Sequence, residues 1–343
     1  MPIDTELRFM LPITLQNLPH PWQEVTEELT YRLGPWIFGK WVFSSICNRS
    51  SPLLRQSVLP GDLRLHKPVS YQQLRDEGTI RRTISLDKKA IRYVAHRDER
   101  FFVDLSLGSF DDYLARFSAK TRNTLRRKLR RFAESSGGAI DLRHYESPDE
   151  MLEFRQHAIA VSLVSYHREI GWGFPESEPF MMKLMDDARK KRVCGFVLMH
   201  SGKPAAYVFC RIDHDIITYA LLAHDPALAH LSPGTVLLFV MLERVFGERK
   251  FRFFDFGGQK WDYKAFFGTG SVKYLRVIWF PITGKNGILV LIHYLTQLAW
   301  YCAARLKELG LYWGLRLSKA SASLRLARGA PKLRDASGLG RIN

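Results

Sequence analysis

The segment FDFGGQKWDYKAFFG, Phe254 to Gly268, gathers side chains that could move a proton. Asp255 stands in an otherwise apolar run that reads as the end of a buried strand. A glycine pair follows, and Lys260, Asp262, Tyr263 and Lys264 crowd behind it. A carboxylate beside a lysine and a phenol suits acid–base work in a cleft, where burial and neighbouring charge tune each group. The same residues equally suit a strand-end turn in which the Asp side chain bonds backbone. Gly257-Gly258 belongs to no GxGxxG run, and the chain has no Walker A loop.

A second set runs from His224-Asp225-Pro226 to Thr235. The strand-like IITYALLAH ends at His224, the chain loops, and Ser232-Pro233-Gly234-Thr235 opens a helix. The first N–H groups of a helix and its dipole attract phosphate, and Gly234 allows close approach of an anion. An ordinary capped start with Pro at the first position has the same appearance. A third set, His167 and Glu169 ahead of Gly171-Trp172-Gly173, lies where a helix should end. No Ser/His/Asp order or GxSxG elbow is present. Cys47, Cys194, Cys210 and Cys302 are scattered and read as reduced core residues, so no metal site is expected.

These groups need a scaffold, and the hydrophobic periodicity outlines one. Ser109 with Asp112 predicts a helix start, and a stripe of Leu114, Phe117, Thr121, Leu125, Leu129 and Phe132 carries one helix through Phe132. AIDLRHY reads as a strand, and Ser147-Pro148-Asp149-Glu150 starts a helix running to about 165. A helix over about 178–191 precedes three strands, VCGFVLMH, AAYVFCRI and IITYALLAH, joined by tight turns as a meander. The helix TVLLFVMLERVF then separates IITYALLAH from the strand FRFFDF, which predicts a crossover, and KYLRVIWF is a last strand. The class is α+β, a mixed α/β layer. Residues 1 to about 105 are irregular in pattern, with GPWIFGKWVF (34–43) reading as a buried strand or hairpin.

The chain has 343 residues, a net charge of +17, and apolar residues at 46%, enough to fill a core. The charge favours an anionic partner without choosing one. Its densest stretch is SAKTRNTLRRKLRRFAESSGG, with seven Lys and Arg residues from Lys120 to Arg131, and the apolar stripe shows that one face of this helix must pack. No helix-turn-helix, RRM or zinc-finger pattern supports nucleic-acid binding. Asn286 to Ala304 has no formal charge, and His293, Thr296, Gln297 and Trp300 give it a narrow polar stripe. It suits a helix docked on the core, then an interfacial helix followed by basic residues, and last a membrane span. The N-terminus carries acids and no basic region before an apolar core, so a signal peptide is not expected.

Taken in order, FVDLSLGSFDDYLARFSAKTRNTLRRKLRRFAESSGGAIDLRHY, ALLAHDPALAHLSPGTVLLFVMLERVF and FRFFDFGGQKWDYKAFFG resemble the GNAT-fold acyltransferases associated with bacterial cellulose and exopolysaccharide synthesis (CelD/BcsL-like). Those are related to FemAB-like transferases. The resemblance covers roughly residues 100 to 270. Against the family's FDFGRGDEPYK, Asp255, Phe256, Gly257, Tyr263 and Lys264 match, whereas Gly258, Gln259, Lys260 and Trp261 depart. It implies a mixed sheet splayed in the middle, flanked by helices, with acetyl-CoA or another acyl-CoA entering the splay. Leu222 would then lie beside the pantetheine, and Ser232, Gly234 and Thr235 would meet the pyrophosphate. Asp255 is expected as base or acceptor-orienting carboxylate, Tyr263 as acid and Lys264 as electrostatic clamp, with His224 and Glu169 as reserve bases.

The expected organisation is an N-terminal region over 1–105, resembling a degenerate GNAT-like half, a GNAT core over 106–282, and a helical basic tail over 283–343. The expected activity is direct N- or O-acyl transfer to an amino sugar, polysaccharide or envelope precursor, in the cytoplasm or peripherally at the inner membrane. Its rivals are a FemAB-like aminoacyl-tRNA-dependent transferase and a non-catalytic GNAT fold that binds nucleic acid or membrane.

Overall fold

The computed structural model describes residues 22–33, 36–54, 66–87, 90–165, 173–258 and 261–308. His167, Glu169, Lys260 and the tail beyond Glu308 lie outside the described residues.

The meander forms as the periodicity predicts. β7 (Val193–His200), β8 (Lys203–Asp213) and β9 (Ile216–His224) pair antiparallel in turn, and β6 (Asp141–Tyr145) adds to the β7 edge. β7 is buried along nearly all its length because helices cover both faces of the sheet. On one face lie α1 (Phe110–Ala115), α2 (Ala119–Ser135) and α5 (Pro233–Glu248), over Cys194, Phe196 and Leu198. On the other, α3 (Pro148–Val164) and α4 (Glu178–Arg189) close over Val193, Val197 and Met199. Helix α3 begins in a complete capping box of Ser147 and Glu150. After β9, a 3-10 turn over Pro226–Leu231 leads into α5. The crossover then returns to β10 (Phe253–Asp255), which pairs parallel with β9.

The single helix expected through Phe132 is two. Ser109 and Asp112 form a capping box for α1, but the chain breaks at Arg116, and the Ser118 hydroxyl accepts the Thr121 N–H to cap α2. The side-chain cap offers the backbone a partner that competes with continued helix. The apolar stripe survives the break: Leu114, Leu125 and Phe132 are buried, with Phe117 and Leu129 packed against the same core.

The first hundred residues are more regular than their pattern. β1 (Trp22–Leu33) and β2 (Trp36–Asn48) form a long antiparallel hairpin, and β3 (Val69–Arg75) and β5 (Ala90–Asp104) sandwich β11 (Gly270–Pro281). β4 (Ile84–Asp87) pairs with β5 off the main path. One sheet results, in the order β1-β2-β3-β11-β5-β10-β9-β8-β7-β6. The alternation in β1 is hidden because an inward position is Glu27. It is buried against Ser45 and Ser70, with Gln72 Nε2 at 2.6 Å and Arg276 Nη2 at 2.7 Å. The expected boundaries at 105 and 282 fall just after β5 and β11.

Helix α7 (Gly284–Glu308) docks on β1 and β5, with Val290 and His293 buried beneath it. Among the described residues no helix is long and apolar enough to cross a membrane.

Packing is close where β7 meets α3. A Cβ on Gly195 would lie 2.3 Å from the Phe154 ring, and Phe154 is itself fully buried. Gly195→Ala is expected to cost about 1–3 kcal/mol through overpacking, read as a fall in the urea midpoint. An unchanged midpoint would show that Phe154 can yield.

Candidate active site

Strands β9 and β10 run together only briefly. Phe253, Phe254 and Asp255 pair with Ile216, Ile217 and Thr218; β10 then stops while β9 continues to His224. The sheet splays there. The chain leaving β9 leads to the start of α5, and the chain leaving β10 leads to α6 (Asp262–Phe267), a helix the sequence reading had not separated from its polar cluster. Ligands in such sheets bind outside the carboxyl ends of parallel strands.

A cleft of about 520 Å³ lies between helices, walled by Lys120, Thr124 and Lys128 of α2, Thr235 of α5, and Tyr263 and Phe266 of α6. The basic helix is therefore one wall of the cleft. Lys128 is half-buried and its Nζ lies 3.5 Å from Thr235 Oγ1. The positive end of α5 is left open by its own residues: Ser232 adopts a left-handed conformation (φ 56°, ψ 49°) and its side chain makes no cap hydrogen bond. Its carbonyl accepts the N–H groups of Thr235 and Val236 at 3.0 and 3.1 Å. Helix dipole, Lys128 and the Thr235 hydroxyl thus converge on one spot suited to an anion.

His224, half-buried at the end of β9, flanks the same helix start, with its Nδ1 3.9 Å from where a Cβ on Gly234 would stand. Burial holds its imidazole below the ordinary pKa, opposed in part by Asp225, so it is neutral at neutral pH. Leu222 is partly buried against the core shared by α2 and α5.

Asp255 is fully buried at the root of the splay. Its Oδ1 accepts Arg100 Nε at 2.6 Å and the Gly257 N–H at 2.9 Å, while Oδ2 has no hydrogen-bond partner among the described residues. The Gly257 contact is the side-chain-to-backbone turn anticipated from sequence, and Gly257 takes φ 72° to make it. Lys264, only 6% exposed, donates from Nζ to the carbonyl of Gly258, and Arg100 Nη1 donates to Gln73 Oε1. Tyr274 donates to Asp98 Oδ2 at 3.1 Å and crowds Gly258, where a Cβ would meet its hydroxyl at 2.9 Å. Burial, then the Arg100 charge, pulls the Lys264 pKa down to about 8 against the pull of Asp255 and Asp98.

The structure thus brings Thr235 and Tyr263 into one cleft; Ser232 and Gly234 stand at the start of α5 beside Thr235, and His224 lies against Gly234. Asp255 and Lys264 fall in a buried ionic cluster beside the turn that precedes α6. Arg100, Lys128, Asp98 and Tyr274 were missed. Lys128 was visible only as one of seven charges, and Arg100 carried no local signal because its partner is 155 residues away.

The profile of the acetyltransferase (GNAT) domain family matches residues 119–265. No curated protein matches the sequence. Among solved structures, FemX is similar at 10% identity over 79% of this chain and 90% of its own, with a TM-score of 0.47. L-PGS from Bacillus licheniformis is similar at 15% identity over 66% and 72%, with a TM-score of 0.38. The ribosomal-protein-S18-alanine N-acetyltransferase from Escherichia coli is similar at 16% over 43% and 98%, with a TM-score of 0.27. Residues 119–265, which contain the start of every helix walling the cleft, carry a GNAT acyltransferase domain.

Proposed function

We propose that this domain transfers an acyl group from an acyl-CoA, acetyl-CoA being the first candidate, to an amine or hydroxyl of an amino sugar, polysaccharide or envelope precursor. The observation that carries the reading is the uncapped start of α5 facing Lys128 in the cleft between α2, α5 and α6. Such a cradle suits the phosphates of coenzyme A, with the acyl-bearing arm directed between the parted strands.

In direct transfer the acceptor's nitrogen or oxygen attacks the thioester carbonyl, the C–S bond breaks, and the acceptor's proton must leave as the thiolate gains one. His224, neutral and at the strand end, is assigned the first proton, and Tyr263, in the cleft, supplies the second. Asp255 is a positioning residue: fully buried, it holds Arg100 and the Gly257 N–H through Oδ1 and so fixes the turn that leads to α6 and Tyr263. Lys264 clamps the Gly257-Gly258 turn through the Gly258 carbonyl.

A second reading, an aminoacyl-tRNA donor, is favoured by one observation: Arg126, Arg127, Arg130 and Arg131 are exposed on the helix that walls the cleft. Calorimetric titration with acetyl-CoA, tRNA and duplex DNA at two salt concentrations separates them. Acetyl-CoA is expected to bind, and Lys128→Ala to weaken it about tenfold, the value of one charge-assisted contact. Binding of tRNA alone, with a steep salt slope, would transfer the assignment to the second reading. No heat with any CoA thioester would overturn the first.

A further inference from the structure

Helix α7 is built inside out. Its polar stripe faces the protein: His293 is 4% exposed, with Nδ1 2.5 Å from the Tyr93 hydroxyl and its ring edge-on to Tyr31, and Gln297 is half-buried in the same row. Its outward face carries Ile288, Leu291, Ile292, Leu295 and Leu298, all more than 40% exposed. A helix on a water-facing surface normally shows the opposite arrangement, and a contiguous apolar face marks an interaction site.

The charges around this face select its partner. From Gly284 to Arg305 the only formal charges are Lys285 and Arg305, one near each end and both positive. The next charged pair, Lys307 and Glu308, is neutral in sum. Residues 309–343 add Arg316, Lys319, Arg325, Arg328, Lys332, Arg334 and Arg341 against a single acid, Asp335. Trp300 and Tyr301 place amphipathic rings towards the basic end, the composition favoured where acyl chains meet headgroups. Over its described residues the helix is not long and apolar enough to cross a bilayer.

We infer that α7 lies in the surface of an anionic lipid bilayer, its outward face sunk among the acyl chains and its flanking cations on the headgroups. The enzyme would then work at a membrane surface, where lipid-linked or membrane-extruded acceptors are presented.

The test is co-sedimentation of the full chain with vesicles of phosphatidylcholine, with and without phosphatidylglycerol. Binding is expected only with the anionic lipid, reduced at least tenfold by Leu291→Glu with Leu295→Glu, and reduced separately by Lys285→Glu with Arg305→Glu. The far-UV circular dichroism and acetyl-CoA titration of these variants should match the parent, since the changed side chains point away from the core and lie on no wall of the cleft. This keeps the outcome separable from that of the donor assignment. Three results overturn the inference: no sedimentation with anionic vesicles; sedimentation unchanged in the Leu variants, which would trace it to general basicity; or a dimer in analytical ultracentrifugation that the Leu variants convert to monomer, which would make the face a contact between copies.

Discussion

Asp255→Asn is expected to cost about 3–5 kcal/mol of folding stability, and to abolish most turnover in whatever protein still folds. The substitution keeps shape but removes the negative charge that Arg100 meets at 2.6 Å, where both side chains are shut from water. Arg100 would be left with neutral acceptors only, the new amide oxygen and Gln73, and Lys264 would lose one of the two carboxylates that hold its proton. A buried cation without its counter-ion is far costlier than the intact pair is beneficial. The corollary is sharper than the single variant. Arg100→Met combined with Asp255→Leu removes both charges and should recover much of the lost stability, while turnover stays low because the carboxylate that holds the Gly257 N–H has gone. Urea unfolding of the three proteins decides it. A loss below about 1 kcal/mol for Asp255→Asn would mean that water reaches the pair, and full turnover in that variant would end the positioning role of Asp255.

The contrast between what the sequence disclosed and what it withheld follows the range of the forces involved. The capping box at Ser147, the meander and the crossover through α5 depend on neighbours within a few turns, so their residues are adjacent in the chain. The break at Ser118 is equally local, yet the continuous apolar stripe masked it: period alone does not register a side-chain cap. The cleft was half legible. Ser232 to Thr235 and Tyr263 declared themselves by helix-start chemistry and by a motif, whereas the fact that Lys128 faces Thr235 depends on how α2 packs across α5. Arg100 and Asp255, like Glu27 and Arg276, are joined only by strand order, β11 inserting between β3 and β5 and β10 closing on β5. The polar stripe of α7 was read correctly as a stripe; its inward direction required a partner, Tyr93, 200 residues away.

The second large effect concerns protonation of Lys264. With its pKa at about 8, the folded protein holds the ammonium below that value and releases the proton above it, well before an exposed lysine would. The clamp on the Gly258 carbonyl is a charge-assisted hydrogen bond only in the ammonium form. Acyl transfer is therefore expected to fall as pH rises through about 8, and Lys264→Met to lose about 100-fold, the penalty of an ångström-scale shift at a reacting centre. Lys264→Arg, which cannot deprotonate, should recover part of the rate and lose the alkaline limb. Stability moves the other way. Because the unfolded chain retains this proton up to its ordinary pKa near 10.4, the unfolded state binds more protons between about 8 and that value. This group's contribution to stability therefore rises with pH across that window. The burial cost of the ammonium is fully present below it, and Lys264→Met should remove the slope. Parallel pH profiles of kcat/KM and of the urea midpoint thus separate the clamp from a general alkaline loss of fold: rate and stability must diverge above pH 8 in the parent protein, and a common decline would show that Lys264 merely holds the structure.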